Sequence, residues 1–242
     1  MRKGVVAVAA ALLAGALASG DWPLLGSFPA PGLNPRGIEL ASAGGSPAWL
    51  VVDGSTPYVY LVNSNNGSIY SSFAAPGGPG AWGVCRASGG NLYLSNYTSS
   101  YVYTVTTAGS VLTSFHSALN GPADMDNLYG LYIAYPNQNL IAQVNPTTGS
   151  IIASYPGPGS HVNACYSMQY FTADTSTHRV YQNGGAIVTS IQTPNGLCGE
   201  ATTYRDSTVI WVADDATDRV YIYGIGVAVI PASFGRVKAV YR

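Results

Sequence analysis

Trp49-Leu50-Val51-Val52-Asp53, Tyr58-Val59-Tyr60-Leu61-Val62-Asn63 and Ser68-Ile69-Tyr70-Ser71-Ser72-Phe73 make up one phrase, and the fold follows from its recurrence. An apolar strand ends on an acid or amide, a few Ser, Thr or Gly follow, a Val-Tyr strand comes next, and an Asn/Gly turn leads into a strand that closes on a small residue, Ser and an aromatic. Residues 92–96, 101–106 and 110–115 are a second copy; 131–135, 140–145 and 150–155 a third; 170–174, 179–182 and 186–191 a fourth; 210–214 and 219–223 a fifth. Aligned in this way, Asp53, Asn96, Tyr135, Asp174 and Asp214 share a column, at separations of 43, 39, 39 and 40 residues.

Each copy is preceded by a shorter apolar segment after a Pro/Gly-rich connection, at residues 36–41, 81–87, 123–127, 162–167 and 197–203. Four short strands in about 40 residues, repeated, is the pattern of a propeller blade. Side chains alternate along the segments, and both faces are largely apolar, as a sheet packed between two neighbours requires. The expected fold is all-β: a single β-propeller of five four-stranded blades, with six as the alternative if a weakly patterned segment hides a blade. Trp22-Pro23-Leu24-Leu25-Gly26-Ser27-Phe28 repeats the ending of a fourth strand with no strands ahead of it, so it is expected to close the ring; residues 227–234 compete for that position.

Turn chemistry agrees. Asn65-Asn66-Gly67, Thr107-Ala108-Gly109, Thr147-Thr148-Gly149 and Asn183-Gly184-Gly185 place Gly or Asn where a tight hairpin needs positive φ, and are expected to join third and fourth strands. The acid or amide column is read as capping a turn through side-chain to backbone bonds. A calcium ligand set is the sharper alternative, with only one carboxylate per copy to support it.

Charge is sparse, at 9 % of residues, and no positive stripe exists to neutralise phosphates, which excludes a nucleic-acid partner. Arg2-Lys3 precedes an apolar stretch at residues 4–17, and Ala16-Leu17-Ala18 offers a small-x-small cleavage pattern. Residues 1–20 are therefore expected to be a signal peptide, 21–228 the propeller and 229–242 a C-terminal strand or sorting tail. The protein is expected to be secreted, periplasmic or at the cell surface, with no membrane span after signal cleavage. Of its three cysteines, Cys165 and Cys198 fall in first strands of consecutive copies and form the candidate disulfide, with two buried thiols as the alternative. Asn66-Gly67-Ser68 and Asn96-Tyr97-Thr98 match glycosylation sequons.

The phrase Val212-Ala213-Asp214-Asp215-Ala216-Thr217-Asp218-Arg219-Val220-Tyr221, and its weaker copy from Thr172-Ala173-Asp174 to Arg179-Val180-Tyr181, resemble the blades of NHL and YncE/SMP-30-like propellers. This resemblance implies architecture more than activity, since that group holds binding proteins, lactonases and a streptogramin lyase. The segment Ala232-Ser233-Phe234-Gly235-Arg236-Val237-Lys238-Ala239-Val240-Tyr241 resembles C-terminal tails of exported bacterial proteins, which implies surface sorting.

In a propeller the first strands and the loops entering them line the central channel. There the sequence gathers Arg36, Glu39, Trp82, Arg86, Asp124, Asp126, His161, Asn163 and Glu200, the expected ligand surface. No Gly-x-Ser-x-Gly elbow is present, and no catalytic residue or metal ligand is assigned. No cofactor is expected, calcium being the alternative. The expected function is that of an exported, non-enzymatic binding or surface-interaction protein for extracellular protein or carbohydrate ligands. The second reading is a metal-dependent hydrolase, lactonase-like, or a lyase, with its site at the channel mouth.

Overall fold

A computed structural model describes residues 24–127, 130–157, 162–166, 171–174, 179–183, 187–192, 200–203 and 209–224, with side chains for 24–127, 130–157, 162 and 210–224. The expected leader at residues 1–20, the expected strand or tail at 229–242 and the competing closing segment at 227–234 lie outside them.

Among the described residues, twenty strands form five four-stranded antiparallel sheets in a β-propeller arrangement. β1 (Leu24–Pro29) is the first of the described strands. β2 (Pro35–Ala43), β3 (Ser46–Asp53), β4 (Tyr58–Asn63) and β5 (Ile69–Ala74) form one sheet in chain order. β6 (Ala81–Arg86), β7 (Leu92–Asn96), β8 (Tyr101–Val105) and β9 (Val111–His116) form the next. β10 (Met125–Asp126), β11 (Leu131–Tyr135), β12 (Leu140–Val144) and β13 (Ile151–Pro156) follow, then β14 (Val162–Tyr166), β15 (Phe171–Asp174), β16 (Arg179–Asn183) and β17 (Ile187–Gln192). The last sheet comprises β18 (Glu200–Thr203), β19 (Val209–Asp214) and β20 (Arg219–Gly224), with β1 paired antiparallel to β20 as its fourth strand.

The first strands touch in cyclic order: β2 on β6, β6 on β10, β10 on β14, β14 on β18, and β18 back on β2. Strand alternation explains why the sheets stack. Along β3, Trp49 and Val51 pack with Trp211, Val220 and Ile222 of the last sheet, whereas Leu50 and Val52 pack with Val84, Leu92 and Leu94 of the second. The same period sends Leu131 and Ile133 toward Cys85 and Val102, and Tyr132 and Ala134 toward Val162. Each such aliphatic side chain withdrawn from water is worth about 1.5–3 kcal/mol. Cys85 is a buried thiol in one of these layers.

At the outside, an aromatic of one sheet meets a hairpin glycine of the next. A Cβ on Gly67 would stand 2.8 Å from the Phe28 ring, one on Gly109 2.5 Å from Phe73, and one on Gly149 2.5 Å from Phe115. All three glycines have φ between +72° and +86° and lie between third and fourth strands, so turn geometry and sheet packing demand the same residue.

Among the described side chains, Asp53, Asn96 and Asp214 of the column at the ends of second strands cap turns. Asp53 Oδ1 accepts hydrogen bonds from the Ser55 amide at 2.9 Å and hydroxyl at 2.8 Å, and its Oδ2 accepts from Thr56. Asn96 Oδ1 accepts from the Ser99 amide at 2.9 Å, and Asp214 Oδ1 from the Ala216 amide at 2.9 Å. Tyr135, the odd member, bonds through its hydroxyl to Ser117 Oγ. Asn96 is fully buried and its amide donates to the Gly78 and Pro79 carbonyls, so its sequon is inaccessible, whereas Asn66 is exposed.

Candidate functional site

Antiparallel alternation gives the propeller two unlike ends. The first strands begin at one, the entry end, beside the turns that join second to third strands; the opposite end carries the first–second and third–fourth hairpins. The sequence-derived site residues divide along this axis.

Arg36 and Trp82 lie where β2 and β6 begin, each inside a register shift, between Pro35 and Ile38 in one and between Ala81 and Val84 in the other. A bulge of this kind re-aims side chains at the head of a strand. The Arg36 guanidinium carbon sits 4.2 Å from the centroid of the Trp82 ring, a cation–π contact. Its Nη1 pairs with Asp215 Oδ2 at 2.7 Å. Trp82 stacks in turn on Tyr97, with centroids 4.7 Å apart, and the Tyr97 hydroxyl donates to Asn137 Oδ1 at 2.9 Å. The series Asp215, Arg36, Trp82, Tyr97, Asn137 thus runs across four sheets at the entry end.

Two of its polar atoms, Trp82 Nε1 and Asp215 Oδ1, are hidden from solvent and have no hydrogen-bond partner. The scaffold indoles Trp49 and Trp211 likewise have a buried Nε1 with no hydrogen-bond partner. Burial raises the Asp215 carboxyl above its ordinary range, against the pull of Arg36, with Asp214 pushing it the same way as burial. Desolvation therefore outweighs the ion pair, whose evident effect is to hold the guanidinium over the indole.

Glu39, Arg86, Asp124 and Asp126 form a second group further along the first strands. Glu39 pairs with Leu50, Cys85 with Tyr93, Asp126 with Tyr132, Tyr166 with Phe171 and Thr202 with Trp211, so these five residues hold one level of the five first strands. Burial pushes the Glu39 carboxyl up to about 8, although 17 % of its side chain still reaches solvent. Arg86 opposes the shift, with its Nε 3.8 Å from Glu39 Oε1, while Asp126 and Asp124 reinforce it. Arg86 is itself pinned, donating from Nε and Nη2 to the Leu40 carbonyl at 3.0 and 2.8 Å, and its own carbonyl accepts from Asn127 Nδ2 at 3.0 Å. Asp124 and Asp126 are both buried. At neutral pH this arrangement holds Glu39 protonated, able to donate a proton or a hydrogen bond.

Beside this group, a cleft of about 220 Å³ opens between the first two sheets, lined by Leu40, Leu50, Leu61, Phe73 and Leu92 with Arg86 at its edge. Among the described residues, no three His, Cys, Asp or Glu side chains gather closely enough to hold a metal ion.

The remaining expected residues are placed only in part. Asn163 lies on β14, and Glu200 opens β18 opposite Ala213, the level at which the Asp124 carbonyl accepts from the Ala134 amide of β11. Their side chains, His161, and the Cys165–Cys198 disulfide fall outside the described residues. Asp215 and Asn137 were not among the residues expected from sequence; both sit in second–third turns that only the folded ring brings to β2 and β7. The one sequence signal was the Asp-Asp pair at 214–215, whose first member is the column residue.

No protein-family model matches the chain, and no curated protein matches it in sequence. Solved structures that it resembles are β-propellers. Glutaminyl cyclase of Myxococcus xanthus aligns with a TM-score of 0.66 at 11 % identity, over 84 % of this chain and 97 % of that one. A streptogramin B lyase aligns at 0.51 and 12 %, over 84 % and 87 % of the two chains. A protein of unknown function from Bacteroides caccae aligns at 0.50 and 12 %, over 74 % and 70 %. At these identities the likeness shows the fold alone: the chain is a β-propeller.

Proposed function

We propose that the chain is an exported propeller of five blades, its ring closed by β1, that binds a protein or carbohydrate ligand at its entry end without transforming it. Export is supported by Arg2-Lys3, the apolar residues 4–17 and Ala16-Leu17-Ala18. Five blades and closure by β1 are supported by the five sheets, the cyclic contacts of their first strands and the β1–β20 pairing. The observation that carries the binding reading is the Asp215–Arg36–Trp82–Tyr97–Asn137 series. It sets a guanidinium, an indole and a phenol ring, each partly exposed, in a fixed array at the entry end, a charged and stacking surface for an incoming polar ligand. Glycan and peptide arrays test it: the wild-type chain gives a signal that Arg36→Ala abolishes. No array signal, together with turnover of a lactone, reverses the ranking.

One observation favours a second reading, an enzyme that transfers a proton at the channel mouth. A carboxyl that titrates near 8 is suited to general acid or base work at neutral pH, and Glu39 is such a group. Two of the similar structures are a cyclase and a lyase. On this reading Glu39→Gln removes turnover and leaves array binding intact.

A further inference from the structure

The outer strands carry a pattern that neither site uses. β1, β5, β9, β13 and β17 open with Leu24-Leu25, Ile69-Tyr70, Val111-Leu112, Ile151-Ile152 and Ile187-Val188, apolar at both positions in every sheet. The registers coincide: Leu24 pairs with Tyr223, Ile69 with Val62, Val111 with Val105, Ile151 with Val144 and Ile187 with Asn183. Each pairing carries a register shift at that same point. A bulge lets two successive side chains turn away from the sheet, where alternation would hide one. Accordingly Leu24, Ile69, Tyr70, Val111, Leu112, Ile151 and Ile152 are between 37 % and 62 % exposed.

Exposed sheet edges are usually guarded by charge, lysine above all. These edges are not: none of the five outer strands contains Asp, Glu, Lys or Arg. Among the described side chains the exposed strip recurs in four of the five sheets, as a doublet on β5, β9 and β13 and as Leu24 alone on β1, where Leu25 packs against the core. A charge-free strip of this regularity is more than scattered surface hydrophobicity.

We propose that this rim is where copies of the chain associate, the outer strands of one packing side by side on those of another, apolar columns together. Three features select a second copy as the occupant. The strip meets itself without like-charge repulsion, because it has no charge. An antiparallel edge complements its own copy across a two-fold axis, so the residues beyond each bulge, Pro29 and Pro156 apart, are able to pair main chain to main chain. The strip also faces outward around the perimeter, whereas a lipid surface would be met by one end. A single strand pair falls short of the roughly 800 Å² per partner of a stable interface, so assembly depends on concentration and builds through several edges at once.

Sedimentation equilibrium of the full chain tests this, for the wild type and for two variants that charge different sheets, Leu112→Lys with Ile152→Lys, and Ile69→Lys with Tyr70→Lys. The wild-type average mass should rise with concentration, and each variant should associate at least tenfold more weakly with unchanged circular dichroism. A single-chain mass at every concentration overturns the proposal, as does association equally strong in both variants. Flotation of the wild type with phosphatidylcholine vesicles, lost in the same variants and without self-association in solution, assigns the rim to lipid and overturns it as well.

Discussion

One level of the first strands reads Glu39, Cys85, Asp126, Tyr166, Thr202; the opening level of the outer strands reads Leu24, Ile69, Val111, Ile151, Ile187. The inner series changes chemistry at each sheet and the outer series never does. The difference is geometric. The outer positions whose side chains are described, Leu24, Ile69, Val111 and Ile151, are all exposed, and one residue type serves them. Inner positions meet unequal neighbours: Glu39 lies beside Arg86, whereas Cys85 packs between two sheets. On the proposed reading, divergence within the repeat marks the binding site, and uniformity marks the scaffold and the rim.

If that division is right, scaffold substitutions cost stability and inner-end substitutions do not. The largest expected loss is at the joint between the first and last sheets, where Trp49 and Trp211 lie with centroids 4.6 Å apart. Trp49→Ala should cost about 4 kcal/mol in urea unfolding, through lost burial and an unfilled cavity. A loss below about 1 kcal/mol would mean that these sheets are not joined there.

Glu39→Gln should go the other way, and its size depends on pH. With a folded-state value near 8 against 4.5 in the unfolded chain, the native state keeps a proton that the unfolded state releases between those values. Wild-type stability therefore falls as pH rises through that window and is level above it. The Gln variant, which cannot ionise, should match the wild type near pH 4 and exceed it by about 2–4 kcal/mol at pH 9. Equal melting curves at pH 9 would remove Glu39 from its buried setting.

Smaller effects follow. Gly109→Ala places a methyl against Phe73 at a φ of +86° and should cost about 2 kcal/mol. Trp82→Phe keeps a ring beneath Arg36 and should alter stability by less than about 1 kcal/mol, in line with a partly exposed residue. A cost as large as that of Trp49→Ala would make Trp82 scaffold and blur the two regions.

Much of the scaffold was legible in the sequence because period-two apolar runs and hairpin glycines are local signals. Copies of about 40 residues put Asp53, Asn96 and Asp214 in their capping turns before any geometry was known. Closure was less legible: Trp22-to-Phe28 and residues 227–234 both carry a small-Ser-aromatic ending, and strand pairing is a long-range event that local pattern does not rank. At the candidate site, Arg36 and Trp82 were found as polar and aromatic exceptions in first strands. Their partners Asp215 and Asn137 were not, because turns from different sheets approach one another only in the assembled ring. The doublets opening β5, β9 and β13 read as ordinary strand residues in the sequence, since only the bulge exposes both members.

The most direct test of the division is ligand binding on glycan and peptide arrays by three chains side by side: wild type, Trp82→Ala and Leu112→Lys. The signal should survive in Leu112→Lys and vanish in Trp82→Ala, with both variants folded. Signal kept by Trp82→Ala and lost by Leu112→Lys would contradict it, moving the binding site from the entry end to the rim.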